Sequence, residues 1–354
     1  MFAVTQVTTL LSGKLTWSGF GEAMLALALM WWAWSAFVWA ANAQAMQSRT
    51  LHIYLLVAMV FIFVAGLALP HAFGGESTLF AVAFAVVRLL HLALYADASR
   101  QGNAAWSAIA GFAVTVVIGM ALLIVGSFFH GAARAALWVA AIAIDYAGPA
   151  WLTRERLRGL QRVAVAHFAE RYGLFVIICL GESIFAIGVG ASNRSLDAAR
   201  VLAVSLALLI TVGMWWTYFA HLAPSAAARL REHHDPVLAG ADGYSYLHLL
   251  IVAGIIIFAV GVRTLVRQDV GEPLPDAARL CLCGGSGLYL AGAVAFGLRV
   301  AGTIGYEKLV VVIALLMLYA FGAGLAAWLV ALLAAALLAA LCVVENLGER
   351  ENMQ

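Results

Sequence analysis

Long, uninterrupted apolar runs constrain this chain more than any other feature of its sequence. A helix needs roughly 20 residues to cross about 30 Å of hydrocarbon, and each run has about that length. The runs lie near residues 21–41, 51–69, 78–97, 104–128, 135–152, 167–190, 201–220, 246–264, 280–298, 309–322 and 325–345. Backbone inside lipid must satisfy its own hydrogen bonds, and the runs do not alternate as barrel strands do. They therefore predict membrane-crossing α-helices.

The composition excludes a soluble globular chain. Of the 354 residues, 65% are hydrophobic and only 11% are charged, whereas a soluble domain carries about 25% charged residues. The net charge of +2 gives no reason to expect a nucleic-acid partner, so the lipid bilayer is the expected partner. Cysteines occur inside apolar runs, as small buried residues do, and they are Cys179, Cys281, Cys283 and Cys342.

The predicted fold is an all-α polytopic membrane bundle of eleven full spans. One apolar stretch, Leu309 to Glu345, would be roughly 55 Å long as a single helix. We therefore expect a break at Phe321-Gly322-Ala323-Gly324. A short apolar segment, Phe2 to Leu11, precedes the full spans and is about half a span long.

Two stretches of the sequence repeat each other. Met30-Trp31-Trp32-Ala33-Trp34 recurs as Met214-Trp215-Trp216-Thr217-Tyr218, and the span that follows each copy also matches, residues 62–66 against 257–261. Counting the half-span gives two sets of six helices, which run in the same direction because six is even. The repeat predicts a first half at 1–165 with a truncated first helix, a second half at 166–345 and a tail at 346–354.

Lysine and arginine indicate an orientation. Summed over the connecting segments, they are more numerous on the side that carries the Arg154–Arg162 cluster and the carboxy terminus. Positive loops favour the cytoplasm. We therefore expect a multi-pass protein of a bacterial inner (plasma) membrane with a cytoplasmic carboxy terminus.

Ionisable residues inside a span are costly and are candidates for function by default. Arg88, His91 and Tyr95 share one helix face at i, i+3 and i+7. His167, Glu170 and Arg171 occupy one turn at the start of another span. The candidates for binding a substrate or ion are Arg88, His91, Tyr95, Asp145, His167, Glu170, Arg171, Glu182 and His248.

With this orientation, most of these residues collect in the cytoplasmic half. We interpret them as one hydrated or ion-paired site in which Arg88 and Arg171 are the cations, and Asp145, Glu170 and Glu182 are their partners. Structural pairing between helices, or side chains that extend to the interface, is the alternative. The tryptophans from Trp31 to Trp39 favour packing and interfacial anchoring over a ligand cage.

The residues give little support to catalysis. No two of the nine histidines are spaced i, i+4 within a span, and Cys281-x-Cys283 lacks the second pair that a zinc site needs. We therefore expect no metal and no cofactor. An intramembrane enzyme that uses Asp145, Glu170 or Glu182 as an acid stays open as an alternative.

Three stretches of the sequence form a specific combination. They are His167-Phe168-Ala169-Glu170-Arg171-Tyr172-Gly173-Leu174-Phe175-Val176-Ile177-Ile178 followed by Leu180-Gly181-Glu182-Ser183-Ile184, Arg88-Leu89-Leu90-His91 with Leu94-Tyr95, and Tyr244-Ser245-Tyr246-Leu247-His248 leading to Ala253-Gly254-Ile255. The first closely resembles the signature of the bacterial low-temperature-requirement A (LtrA) family, and the other two are similar to it. The resemblance spans nearly the whole chain. It implies a multi-pass inner-membrane protein associated with growth in the cold, and it brings no reaction or substrate.

The amino terminus departs from that family pattern. Family members usually carry an acidic stretch resembling Glu-Leu-Phe-Phe-Asp-Leu-Val-Phe before the segment that matches Phe2-Ala3-Val4-Thr5-Gln6-Val7-Thr8 of this chain. We expect that Met1 stands for an internal valine through a mis-assigned start codon. Mass spectrometry that found Met1 or Phe2 as the native amino terminus would contradict this hypothesis.

The leading functional hypothesis is a transporter or channel-like permease. Its polar site would face the cytoplasm and move a small, anionic solute together with protons. The alternatives are an enzyme acting on a lipid or isoprenoid near the inner leaflet, and a scaffold or sensor in membrane adaptation. The oligomeric state is not predictable from the sequence.

Overall fold

The computed structural model describes residues 2–42, 49–102, 106–152, 165–192 and 195–352, and at 108, 151–152, 165–167 and 349–352 it describes the backbone alone. The regular elements in these ranges are helices. They are α1 Phe2–Gly13, α2 Trp17–Asn42, α3 Arg49–Ala68, α4 Ser77–Arg100, α5 Trp106–Ser127, α6 Gly131–Ala147, α7 Val165–Ala191, α8 Ala198–Trp216, α9 Ala223–Glu232, α10 Pro236–Gly240, α11 His248–Arg267, α12 Asp276–Ala301, α13 Tyr306–Phe321 and α14 Ala327–Asn352.

Ten helical segments of the described ranges are long and apolar enough to cross a membrane. They coincide with ten of the eleven predicted runs, which confirms the polytopic helical membrane fold. The run at 135–152 is the eleventh. It contains α6, which has 17 residues, and then a π-helical turn at Gly148–Leu152.

The predicted break in the last apolar stretch is confirmed. Helix α13 ends at Phe321, a 3₁₀ turn follows at Gly322–Gly324, and α14 begins at Ala327. The first backbone N–H groups of a helix lack partners within it. Here Ala327 N donates to Glu272 O over 3.0 Å, and Trp328 N donates to Val270 O over 3.1 Å. The break is therefore held by the loop that precedes α12.

Three basic residues that each directly precede a predicted apolar run lie inside helices rather than in the connecting segments. Arg134 belongs to α6, Arg279 to α12 and Lys308 to α13, and all three are buried. Arg134 Nε donates to Phe129 O over 2.9 Å, and Arg279 Nε donates to Tyr319 O over 3.0 Å. The two guanidinium groups therefore hydrogen-bond to backbone carbonyls near the ends of α5 and α13.

The chain divides into two compact units. The amino-terminal unit contains Phe2–Phe168 and also Asp235–Ser245, and the carboxy-terminal unit contains Ala169–His234 and Tyr246–Gln354. Trp31 Nε1 donates to Ser245 O, and Trp39 Nε1 donates to Ser245 Oγ, each over 2.7 Å. These bonds attach the short segment Asp235–Ser245 to α2; interfacial anchoring by the tryptophans from Trp31 to Trp39 stays a prediction.

In the carboxy-terminal unit, α11 and α12 approach each other at glycines. A Cβ at Gly285 would lie 2.9 Å from Gly254 O and also against Phe258 N. A Cβ at Gly261 would lie 2.8 Å from Leu282 Cα. Small residues let helix backbones touch in this way, which is a common means of association inside membranes.

Candidate functional site

A buried ion pair links α4 to α6 in the amino-terminal unit. Arg88 Nη2 donates to Asp145 Oδ1 over 2.6 Å, and the two side chains are only 2% and 1% exposed. Arg88 lies in the middle of α4, and Asp145 lies in the last turn of α6. The sequence named Asp145 among the candidate partners of the arginines without assigning a pair, and the structure pairs it with Arg88.

The pair leaves polar atoms unsatisfied. Within the described residues, Arg88 Nε, Arg88 Nη1 and Asp145 Oδ2 are buried and have no hydrogen-bond partner. A buried polar group without a partner costs free energy, and the cost is larger when the group is charged. Two donors and one acceptor are thus available to a molecule that enters this site.

Aromatic rings surround the next turn of α4. His91 is 3% exposed and lies within electrostatic reach of Arg88. Its ring contacts Tyr95 edge to face, with centroids 5.2 Å apart, and tilted contacts join it to Phe37 of α2 and Phe112 of α5. Arg88, His91 and Tyr95 are all buried, as their common helix face predicts.

The carboxylate side of the pair is fixed by α2 and α5. Tyr146 stacks on Trp32 with centroids 3.9 Å apart, and its hydroxyl donates to Ala28 O over 3.0 Å. In α5, a Cβ at Gly119 would lie 2.9 Å from Ala141 O and 3.4 Å from Asp145 Cβ. The π-helical turn at Gly148–Leu152 follows directly, and such turns occur often at functional sites.

The other described candidates belong to the carboxy-terminal unit. On α7, Glu170 is exposed, Arg171 is half-buried and Glu182 is buried. His248 is 0% exposed, and its Nε2 lies 2.7 Å from Tyr218 Oη. The side chain of His167 lies outside the described residues. That all the candidates form one site stays a prediction.

A second polar cluster, which sequence reasoning missed, lies in the carboxy-terminal unit. Lys308 Nζ is 2.6 Å from Glu345 Oε1 and 3.0 Å from Glu307 Oε1. His221 Nε2 is 3.9 Å from Glu345 Oε2. The sequence gives one signal for it: Glu345 closes an apolar run that ends in Val343-Val344, and Lys308 opens the run before it.

The described residues provide no obvious metal centre. Among them, no group of three or more His, Cys, Asp or Glu side chains is placed to hold a metal ion. Charge in the Arg88–Asp145 site is instead balanced between one guanidinium and one carboxylate. Such a site can bind a small polar molecule through hydrogen bonds, and it can accept a proton on the carboxylate.

Comparison with known proteins places the chain in a family. The family described as bacterial low temperature requirement A protein (LtrA) matches residues 1–343. An uncharacterized protein of Rhizobium meliloti (strain 1021) is 31% identical over 301 residues, which cover 83% of this chain and 73% of that protein. No solved structure matches the chain. With its apolar helices of membrane-crossing length, the chain therefore belongs to the bacterial low-temperature-requirement A family of multi-pass membrane proteins.

Proposed function

We propose that the protein is a permease that carries a small carboxylate-bearing solute together with a proton. The Arg88–Asp145 pair binds both the solute and the proton. The observation that carries this proposal is the set of unsatisfied atoms on the pair: two of the three guanidinium nitrogens and one carboxylate oxygen are buried without a hydrogen-bond partner in the described chain.

A purely structural ion pair accounts poorly for these atoms. A buried pair offsets its desolvation only when the remaining protons and lone pairs are also hydrogen-bonded. Here Arg88 makes one hydrogen bond to Asp145, over 2.6 Å, rather than a two-bond fork. A carboxylate supplies the acceptors that Arg88 lacks, because guanidinium and carboxylate groups bind each other strongly.

Charge balance supports coupling to a proton. The empty pair is neutral, since one cation faces one anion. A monovalent anion on Arg88 adds one negative charge, which is costly inside a membrane. A proton on Asp145 removes that charge and releases Arg88 to hold the solute. One proton per monovalent anion then moves, and the loaded site stays neutral.

Uptake by proteoliposomes tests this function. With the interior alkaline, we expect the wild-type protein to accumulate radiolabelled lactate or pyruvate and to acidify the lumen, as an enclosed pH dye reports. Protein-free liposomes are the control for leakage. If neither acid is accumulated and the luminal pH follows the control, the permease assignment is wrong.

We also infer a bacterial inner-membrane location with the carboxy terminus in the cytoplasm. The excess of Lys and Arg on the side of the Arg154–Arg162 cluster supports it. A carboxy-terminal fusion to green fluorescent protein should fluoresce, and a fusion to alkaline phosphatase should be inactive. The reverse pattern would place the carboxy terminus outside.

A further inference from the structure

A cavity of about 430 Å³ lies within the carboxy-terminal unit. Its walls come from the π-helical turn after α8, from the second half of α12, from the loop before α13 and from the end of α14. One wall is polar and consists of His221, Glu307, Lys308 and Glu345. The rest of the lining is largely apolar and includes Ala293, Val294 and Ile304. The cavity lies in the range of small-molecule sites, about 300–1,000 Å³.

The polar wall carries more negative than positive charge. Lys308 is its one fixed cation among the lining residues, and both carboxylates lie within 3.0 Å of the Lys308 ammonium. One lysine and two glutamates give this part of the wall a net charge of −1. Lys308 is already engaged by two carboxylates, so the wall favours a cation over an anion.

Neither carboxylate oxygen of Glu345 makes a hydrogen bond within the described residues, although Oε1 lies 2.6 Å from the Lys308 ammonium nitrogen. The Glu345 side chain is 4% exposed. His221 Nε2 lies 3.9 Å from Oε2, which is too long for a hydrogen bond. A donor bound in the cavity would therefore satisfy Oε2.

We propose that this cavity binds a primary ammonium group. Its N–H donors bond Glu345 Oε2 and the Glu307 carboxylate, and its carbon chain packs on Ala293, Val294 and Ile304. A bare metal ion fits poorly, because the described residues bring no three metal-ligating side chains together. The site lies in the other unit from the Arg88–Asp145 pair, and the proposal does not depend on the permease function.

Two kinds of molecule contain a primary ammonium group attached to a carbon chain: soluble alkylamines and the headgroup of phosphatidylethanolamine. The probe that separates them is butylammonium, titrated by calorimetry into the full-length protein in nanodiscs of phosphatidylcholine and phosphatidylglycerol. We expect saturable binding of butylammonium and none of butyrate. Weaker apparent binding after phosphatidylethanolamine is added identifies the headgroup as the occupant, and unchanged binding identifies soluble amines.

Substitutions test whether the residues that line the cavity bind the ammonium group. Glu345→Gln removes one charge, so butylammonium should bind at least about tenfold more weakly. The matched control is Glu76→Gln, since Glu76 is exposed and lies in the amino-terminal unit. Gly297→Leu keeps all four polar residues and fills the cavity, so it should abolish binding. Gly297→Ala should bind normally, because a Cβ there meets its nearest atom at 3.7 Å.

Two results would overturn the proposal. Wild-type protein that does not bind butylammonium saturably contradicts it, and so does Glu345→Gln protein that binds as tightly as the wild type. A thermal unfolding midpoint for each variant shows whether it is folded. If Glu345→Gln does not fold, the comparison of Gly297→Leu with Gly297→Ala decides the question.

Discussion

Asp145→Asn protein should unfold at a much lower temperature than the wild type in detergent. The substitution leaves Arg88 charged, 2% exposed and without its ion-pair partner. Removing one partner of a buried pair costs about 3–5 kcal/mol. Arg88→Gln should cost less, because Asp145 can take up a proton whereas a guanidinium group cannot lose one.

The double variant Arg88→Gln with Asp145→Asn should recover much of this loss, because no unpaired charge remains. Thermal unfolding midpoints of the two single variants and the double variant form the cycle that isolates the pair. Matched controls are Arg100→Gln, an exposed arginine on the same helix, and Asp97→Asn; each should change stability little. If the loss of stability in the double variant equals the sum of the losses in the two single variants, the two residues are not coupled.

Gly285→Ala is expected to destabilise the carboxy-terminal unit strongly. The added Cβ would collide with backbone atoms of α11, at 2.9 Å from both Gly254 O and Phe258 Cα. Backbone cannot rotate away as a flexible side chain does, so α11 and α12 must separate. Overpacking of a tight interior typically costs about 1–3 kcal/mol, and the midpoint of thermal unfolding should fall accordingly.

Gly287→Ala on the same helix is the matched control. A Cβ at Gly287 meets no atom within 4 Å, and alanine is favoured over glycine in a helix by up to about 1 kcal/mol. The midpoint of this variant should stay the same or rise. If Gly285→Ala and Gly287→Ala behave alike, the close approach of the two helices is wrong.

The sequence predicts the fold through length and apolarity, and those properties suffice for the helices. Ten predicted runs became helices of membrane-crossing length, and the break at Gly322–Gly324 lies where it was expected. The face shared by Arg88, His91 and Tyr95 follows from helical periodicity alone. That Arg88 has a carboxylate partner was also predictable, because a buried charge in a span requires a partner of opposite sign, but the choice of Asp145 over Glu170 or Glu182 was not.

Contacts between distant residues were not predictable in the same way. Lys308 and Glu345 each lie at the end of an apolar run, where a charge normally faces water or the interface. Only the packing of α13 against α14 brings them within 2.6 Å of each other.

The sequence repeat also does not predict the surroundings of its residues. Trp31 and Trp32 are buried, whereas Trp215 and Trp216 are 43% and 39% exposed. Residues that match in the sequence repeat therefore lie in different surroundings.

If the Arg88–Asp145 pair binds the solute and its proton, a folded chain without the pair cannot transport them. The most direct measurement is acid-gradient-driven uptake of lactate by the Arg88→Gln, Asp145→Asn double variant, beside the wild type and the Arg100→Gln control. We expect a folded double variant that neither accumulates lactate nor acidifies the lumen, while the control matches the wild type. Uptake by the double variant at the wild-type rate would contradict it.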